Sequence, residues 1–349
     1  MKKQSNNTAF SPSYPNASIR SLSALSKALG IHQDILIKYA HRANQLYRLA
    51  AQEKKPDGSI RQTFDAYPAL KAIQIRIKER ILRVVEYPPY LQGSLRGCSP
   101  RTNAAIHVKA KICFAEDIAN FFPSANYSLI KNIWSGFFGF PDDVAELLTI
   151  LSVKDDGLPQ GAVTSSYLAN LVFWNYEPNL VNRFKQRGLI YSRYVDDISV
   201  SSKYRLTIEE QSRLVSDVYG MLLHHGFQPK RAKHEVFTAG KSMRTTKLLN
   251  NTKVALPVKL RQNIRAAVFA LEKCIASGLY DEEVKSELSR VASRVGRLRS
   301  FHATEGAALR KRLSILRQTL DSAIVRDIAQ ATPITQKLVE NIELIPPWE

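Results

Sequence analysis

Apolar residues recur every three to four positions over most of this chain and alternate with polar ones in only a few short stretches. The first pattern predicts helices. One helical region spans residues 19–52, with Leu22, Leu25 and Leu29 before Gly30, then Ile35, Leu36, Tyr39, Leu46, Tyr47 and Leu49. Beyond Pro68 a helix turns Leu70, Ile73, Ile77 and Ile81 inward and Lys71, Arg76, Lys78, Arg80 and Arg83 outward. Further helices are expected over 130–140, 144–151, 207–225 and, as one long element, from Ala162 to about Arg187. Alternation predicts strands flanking the Asp57-Gly58 turn, a buried strand over 112–118, a tight hairpin over 188–200 and a strand at Glu235-Val236-Phe237. Ser124 is expected to cap the helix after the buried strand.

Strands with intervening helices, followed by a wholly helical C-terminal part, predict an α+β fold. The formal charge of +19, from 50 basic and 31 acidic residues, points to a polyanionic partner. Nucleic acid fits better than a membrane, because no apolar run approaches the length of a spanning helix. Residues 1–18 are polar, lack the apolar core of a signal peptide and are expected to be a flexible start. Cys98, Cys113 and Cys274 are widely spaced and odd in number, which suits a reducing cytoplasm and excludes a disulfide framework or a cysteine zinc site.

The chemistry centres on Tyr194-Val195-Asp196-Asp197 at the tip of the 188–200 hairpin. Two anions beside an apolar sheet are costly unless a positive charge compensates, and hard carboxylate oxygens suit magnesium. Asp117, at the end of the buried strand, is either a structural cap or a third ligand for the same ion. Lys55 and Arg61 flank a turn that could grip a triphosphate. Gly157-Leu158-Pro159-Gln160-Gly161 lets backbone approach a ligand while Gln160 offers an amide. Arg290, Arg294 and Arg297 repeat on one helix face, the arrangement needed to track a phosphate backbone.

Taken in order, these boxes resemble the reverse transcriptases. Tyr194-Val195-Asp196-Asp197 matches that family's Tyr-x-Asp-Asp box, Asp117 with Phe121-Phe122-Pro123-Ser124 its first catalytic motif, Leu158-Pro159-Gln160-Gly161 its nucleotide-binding loop, and Gly226-Phe227 with Lys233 the motif that follows. Asn103-Ala104-x-x-His107 is similar to a signature of the bacterial retron enzymes. Where those carry Val-Thr-Gly, this chain has Thr245-Thr246-Lys247, and Lys230 stands where Asn is frequent.

The resemblance implies a right-hand polymerase. Residues 1–18 and 19–52 would precede fingers over 53–110 (with part of 124–160), a palm over 111–255, and a helical thumb and tail over 256–349. It implies two Mg2+ ions, with Mn2+ as a substitute, held by Asp117, Asp196, Asp197 and the Ile118 backbone. Lys55, Arg61, Phe122, Gln160, Gly161 and Lys233 would bind the deoxynucleotide, with Phe122 excluding a 2′-hydroxyl and Lys233 protonating pyrophosphate. Asn103, His107, Arg290, Arg294 and Arg297 would contact the template–primer. The implied partners are a structured non-coding RNA, its branched DNA product and a separate antiphage effector, with no membrane, in the bacterial cytoplasm. Untemplated or protein-primed synthesis, and an RNA-binding scaffold restraining an effector, stay open as alternatives.

Overall fold

The computed structural model describes residues 10–54, 58 and 60–331. The chain divides into two compact units, one ending at Lys253 and the other starting at Val254.

In the first unit, residues 10–18 are not the loose start expected from their polarity. Ser13 and Glu86 exchange two backbone hydrogen bonds, and the Tyr14 ring meets Phe138 edge-on at 4.9 Å. The expected flexibility of residues 1–9 concerns positions outside the described residues. α1 (Leu22–Leu29) starts where the Ser21 hydroxyl accepts from the Ala24 amide and ends at Gly30, in the left-handed region. α2 (Gln33–Ala40) follows, but the helical pattern expected to reach residue 52 stops short. β1 (Tyr47–Lys54) pairs antiparallel with β2 (Ile60–Ala66) across the Gly58 turn. The ladder satisfies more backbone groups than an isolated helix turn could, so pairing overrides local propensity.

α3 (Pro68–Arg80) buries Leu70, Ile73 and Ile77 as its spacing predicts. α4 (Pro100–Ile106) is started by a reciprocal capping box between Ser99 and Thr102. β3 (Ile112–Ala119) is buried nearly throughout. The chain then turns through α5 (Phe121–Ser124) into α6 (Tyr127–Asn132). Ser124 is therefore the last residue of a short helix rather than a cap, and Asn126 caps α6 by accepting from the Leu129 amide. The helix expected over 130–140 widens into a π turn at Ile133–Phe137 and stops before Gly139, and α7 (Asp142–Ile150) comes next.

The long helix expected over 162–187 is two: α8 (Ser165–Leu171) and α9 (Glu177–Gln186). Pro178 has no N–H to continue an upstream ladder but fits the first turn of a new helix. β4 (Leu189–Tyr194) and β5 (Asp197–Ser202) form the hairpin, and α10 (Ile208–His224) has a Thr207–Glu210 capping box. β6 (Gln228–Pro229) and β7 (Glu235–Thr238) complete a five-stranded antiparallel sheet in which β5 and β3 are central. β6 and β7 both pair with the far edge of β3. β8 (Arg244–Thr245) and β9 (Leu248–Leu249) form a small separate hairpin.

The second unit is built from α11 (Val258–Ala276), α12 (Glu282–Phe301) and α13 (Ala303–Ala331). Ile264, Val268 and Leu271 of α11, Val291 and Val295 of α12, and Leu309 and Leu313 of α13 form its core. The tight α12–α13 turn needs Gly306, where a Cβ would lie 2.3 Å from the Arg299 Cα. No helix among the described residues is long and apolar enough to cross a membrane.

Candidate active site

The register of the sheet brings the aspartates together. Asp117 of β3 stands directly opposite Asp197 of β5, and Tyr194 of β4 pairs with Asp197 on its other side. Only Val195 and Asp196 form the turn, and the Ile118 amide donates to the Asp196 carbonyl at 3.1 Å. Residues 79 apart in sequence, Asp117 and Asp196, thus meet through one antiparallel ladder. Val195 has φ +61°. A β-branched residue in this region is strained by about 1–3 kcal/mol and persists only where its surroundings hold it.

The electrostatics follow from crowding. Burial, then the negative charges of Asp196 and Asp117, push Asp197 well above the usual carboxylate range, helped by a hydrogen bond with the Asp117 carboxyl. Burial and Asp117 also raise Asp196, while Lys233 and Arg61 oppose the rise. Lys233 Nζ lies 2.8 Å from Asp117 Oδ1, so its ammonium supplies the nearest compensating charge. Among the described residues no three acidic, His or Cys side chains are gathered tightly enough to form a finished ion site. The donor chemistry nonetheless fits a hard divalent cation: the available ligands are carboxylate oxygens whose mutual repulsion weakens one another's acidity, a repulsion that a bound cation relieves.

A second set of residues is fastened together nearby in the chain's hydrogen-bond pattern. Arg61 Nε donates to Gln160 Oε1 at 3.1 Å, and the Phe64 amide donates to the Gln160 carbonyl at 2.8 Å. Gly161, at φ +110°, passes so close that a Cβ would sit 2.7 Å from the Phe64 carbonyl oxygen. The Leu158 amide donates to the Phe122 carbonyl at 3.1 Å, and Gly157 leaves room for the Pro123 carbonyl. Phe122 is half-buried, its ring edge-on to Phe121 at 5.7 Å. Arg61, Phe122, Gln160 and Gly161 are thereby linked, whereas Lys55 lies outside the described residues.

Asn103 and His107 are placed differently from a direct RNA contact. Both are 0% exposed. His107 Nε2 and Nδ1 lie 2.7 Å from the Ser192 and Ser201 hydroxyls, and Ser192 donates to Asn103 Oδ1 at 2.6 Å. This network clamps α4 to β4 and β5 behind the Val195–Asp196 turn, and burial pushes the imidazole down to about 3. The pair therefore supports the strands and does not reach a ligand. Thr246 and Lys247, at φ +47° and +63°, form the two-residue turn between β8 and β9, so a lysine occupies a left-handed position that glycine adopts without strain.

Inspection of the sequence missed the group beneath the turn. Arg193 and Glu177 are 0% and 1% exposed at their side chains and pair at 2.7 Å. The available signal was a charged residue one position before Tyr194 on an otherwise buried strand.

A family model described as "Reverse transcriptase (RNA-dependent DNA polymerase)" matches residues 53–262, more than half of the chain. The retron Se72 reverse transcriptase of Salmonella heidelberg (strain 579083-10) is 31% identical over 314 residues, covering 89% of this chain and 83% of the relative. This chain belongs to the reverse transcriptase family, and to its retron type. The enzyme is thus an RNA-directed DNA polymerase. The retron Ec48 reverse transcriptase of Escherichia coli is 29% identical over 351 residues, 96% of this chain and 84% of that protein. The retron Ec86 reverse transcriptase of Escherichia coli is 30% identical over a shorter span, 53% of this chain and 58% of its own length. The family match covers every strand of the five-stranded sheet and ends inside α11. In the second unit, Arg290, Arg294 and Arg297 all lie on α12, and Arg290 is paired with Glu287 at 3.1 Å.

Proposed function

We propose that this enzyme is the polymerase of a retron: it copies a partner non-coding RNA into single-stranded DNA that stays joined to the RNA. The observation that carries the proposal is the pairing of Asp117 with Asp197 across β3 and β5, with Asp196 in the adjoining turn. Asp117 and Asp196 would be the principal ligands of two Mg2+ ions, or Mn2+ in their place, assisted by Asp197 and the Ile118 backbone. When bound, such ions supply acidification of the primer hydroxyl and charge neutralisation on the departing pyrophosphate.

The chain's own groups do the rest. Arg61 and Lys55 hold the nucleotide's phosphates, Gln160 and Gly161 orient it, and Phe122 lies beneath the sugar where a 2′-hydroxyl would collide. Lys233, already bonded to Asp117, is placed to hand a proton to pyrophosphate. Arg290, Arg294 and Arg297 track the template–primer backbone. In this reading residues 53–110 with part of 124–160 are fingers, 111–255 the palm and 256–349 the thumb and tail of a right hand. Priming from an internal guanosine 2′-hydroxyl yields a branched RNA–DNA product, and the system acts in the bacterial cytoplasm against phage, with a separate effector protein.

Sequencing the nucleic acid that copurifies with the chain tests this. The expected product is DNA complementary to a co-bound RNA and attached to it at a branch. DNA with no complement in that RNA would overturn the proposal in favour of untemplated synthesis.

A further inference from the structure

The turn that carries Asp196 holds a β-branched residue in the left-handed region, and its neighbours are unusually committed to it. Arg193, two residues before Val195, uses all five of its guanidinium N–H groups. Nε and Nη2 donate to the two carboxylate oxygens of Glu177 at 2.7 and 2.9 Å. Nη1 and Nη2 donate to the carbonyls of Ala169 and Asn170 at the end of α8. The remaining Nη1 proton goes to the carbonyl of Val195 itself, at 3.2 Å. Tyr191 also donates to Glu177, at 2.7 Å, so that carboxylate is fixed from two strand positions.

The backbone of Arg193 is equally engaged. Its amide donates to Tyr90 and its carbonyl accepts from Gln92, which adds the 90–92 segment to the edge of β4. That segment leads into Gly93, whose carbonyl accepts from Asn170 Nδ2 at 2.8 Å. A Cβ on Gly93 would lie 2.4 Å from both the amide nitrogen and Cγ2 of Val195. No real side chain tolerates that separation, so only glycine lets this segment close over the turn.

We infer that Arg193, anchored by Glu177, and Gly93, packed on the turn, are positioning residues that hold Val195 left-handed and so aim Asp196 and Asp197 at the metal-binding point shared with Asp117. The inference rests on the metal-site reading above. Arg193 donates to the peptide carbonyl that its own strand leaves at the turn, and Gly93 blocks the other side. A Lys at position 193 keeps the positive charge but loses the planar fork, and cannot serve Glu177, α8 and Val195 together.

The test uses the full chain with Gly93→Ala, Arg193→Lys, Val195→Gly and the Arg193→Lys/Val195→Gly double variant. Mn2+ alone is titrated in electron paramagnetic resonance, and kcat and KM for a deoxynucleotide are measured separately. The Mn2+ affinity of the folded fraction and kcat are expected to fall at least tenfold in Gly93→Ala and Arg193→Lys, with KM changed less than threefold. Glycine at 195 adopts the left-handed conformation unaided, so the double variant is expected to regain most of the Arg193→Lys loss. Should Arg193→Lys not fold, Glu177→Gln, which loosens only the anchor, is expected to show the same affinity and kcat losses at smaller size. Unchanged Mn2+ affinity in Gly93→Ala, or no recovery in the double variant, overturns the inference. Asp196→Asn is the reference. If it abolishes Mn2+ binding while the positioning variants do not weaken it, the positioning role alone fails; if it binds Mn2+ normally, the metal-site reading fails with it.

Discussion

His107 makes the supporting network behind the Val195–Asp196 turn sensitive to acid, and the size of the effect follows from its burial. The imidazole is 0% exposed and burial holds it down at about 3, against an ordinary value near 6.5 for an unfolded chain. Its folded value lies below its unfolded one, so the native state binds fewer protons. The stability it contributes is fully present above about 6.5 and is lost as pH falls towards 3. Between pH 7.5 and 5.0 the unfolded imidazole protonates and the folded one does not. The loss is roughly 1.4 kcal/mol for each pH unit below 6.5, or about 2 kcal/mol at pH 5.0. That is a substantial fraction of the 5–15 kcal/mol typical of a folded domain. Urea unfolding read by tryptophan fluorescence suits the purpose, because Trp134 is buried in the same unit. Wild type and His107→Gln share every other titrating group, so the difference between their pH dependences isolates the imidazole. Wild type should lose about 2 kcal/mol more than His107→Gln over this range. Parallel pH curves, within about 0.5 kcal/mol, would mean that His107 is not buried neutral between Ser192 and Ser201.

Two further outcomes bear on the substrate. Phe122→Ala should admit ribonucleotides, raising the ribo-to-deoxy incorporation ratio at least tenfold in a primer-extension assay; an unchanged ratio would show that Phe122 is only packed against Phe121. Arg294→Ala with Arg297→Ala should reduce the slope of log affinity for RNA against log salt by about one to two, measured by fluorescence anisotropy. An unaltered slope would remove α12 from the nucleic-acid path.

Much of the candidate site was legible because it is written locally. Tyr194-Val195-Asp196-Asp197 lies between alternating strands, and a two-residue turn leaves little freedom in how β4 and β5 pair. From the residues alone Asp117 was either a cap or a partner of Asp196 and Asp197, and the family resemblance favoured the second. The exact pairing with Asp197 was not legible, because register between β3 and β5 is set by tertiary packing. The helical period misled where other forces dominate. Tyr47 and Leu49 fit a helix by spacing but pair with β2, and Pro178 divides what reads as one helix into α8 and α9. Asn103 and His107 match a motif whose residues could point either way. Only the packing of α4 on the sheet turns them into the core, where Ser192 and Ser201 receive them. Arg193 carried the weakest signal of all, since a lone arginine on a strand is usually at the surface.

RNA-templated incorporation of a labelled deoxynucleotide by Asp117→Asn and Asp196→Asn, in Mg2+ and with RNA binding measured alongside, bears most directly on the proposed catalytic role of Asp117 and Asp196. Each variant should retain RNA affinity within about threefold while incorporation falls by at least about a thousandfold, roughly 4 kcal/mol of transition-state stabilisation. Incorporation within tenfold of wild type by either variant would contradict the assignment of Asp117 and Asp196 to the reaction.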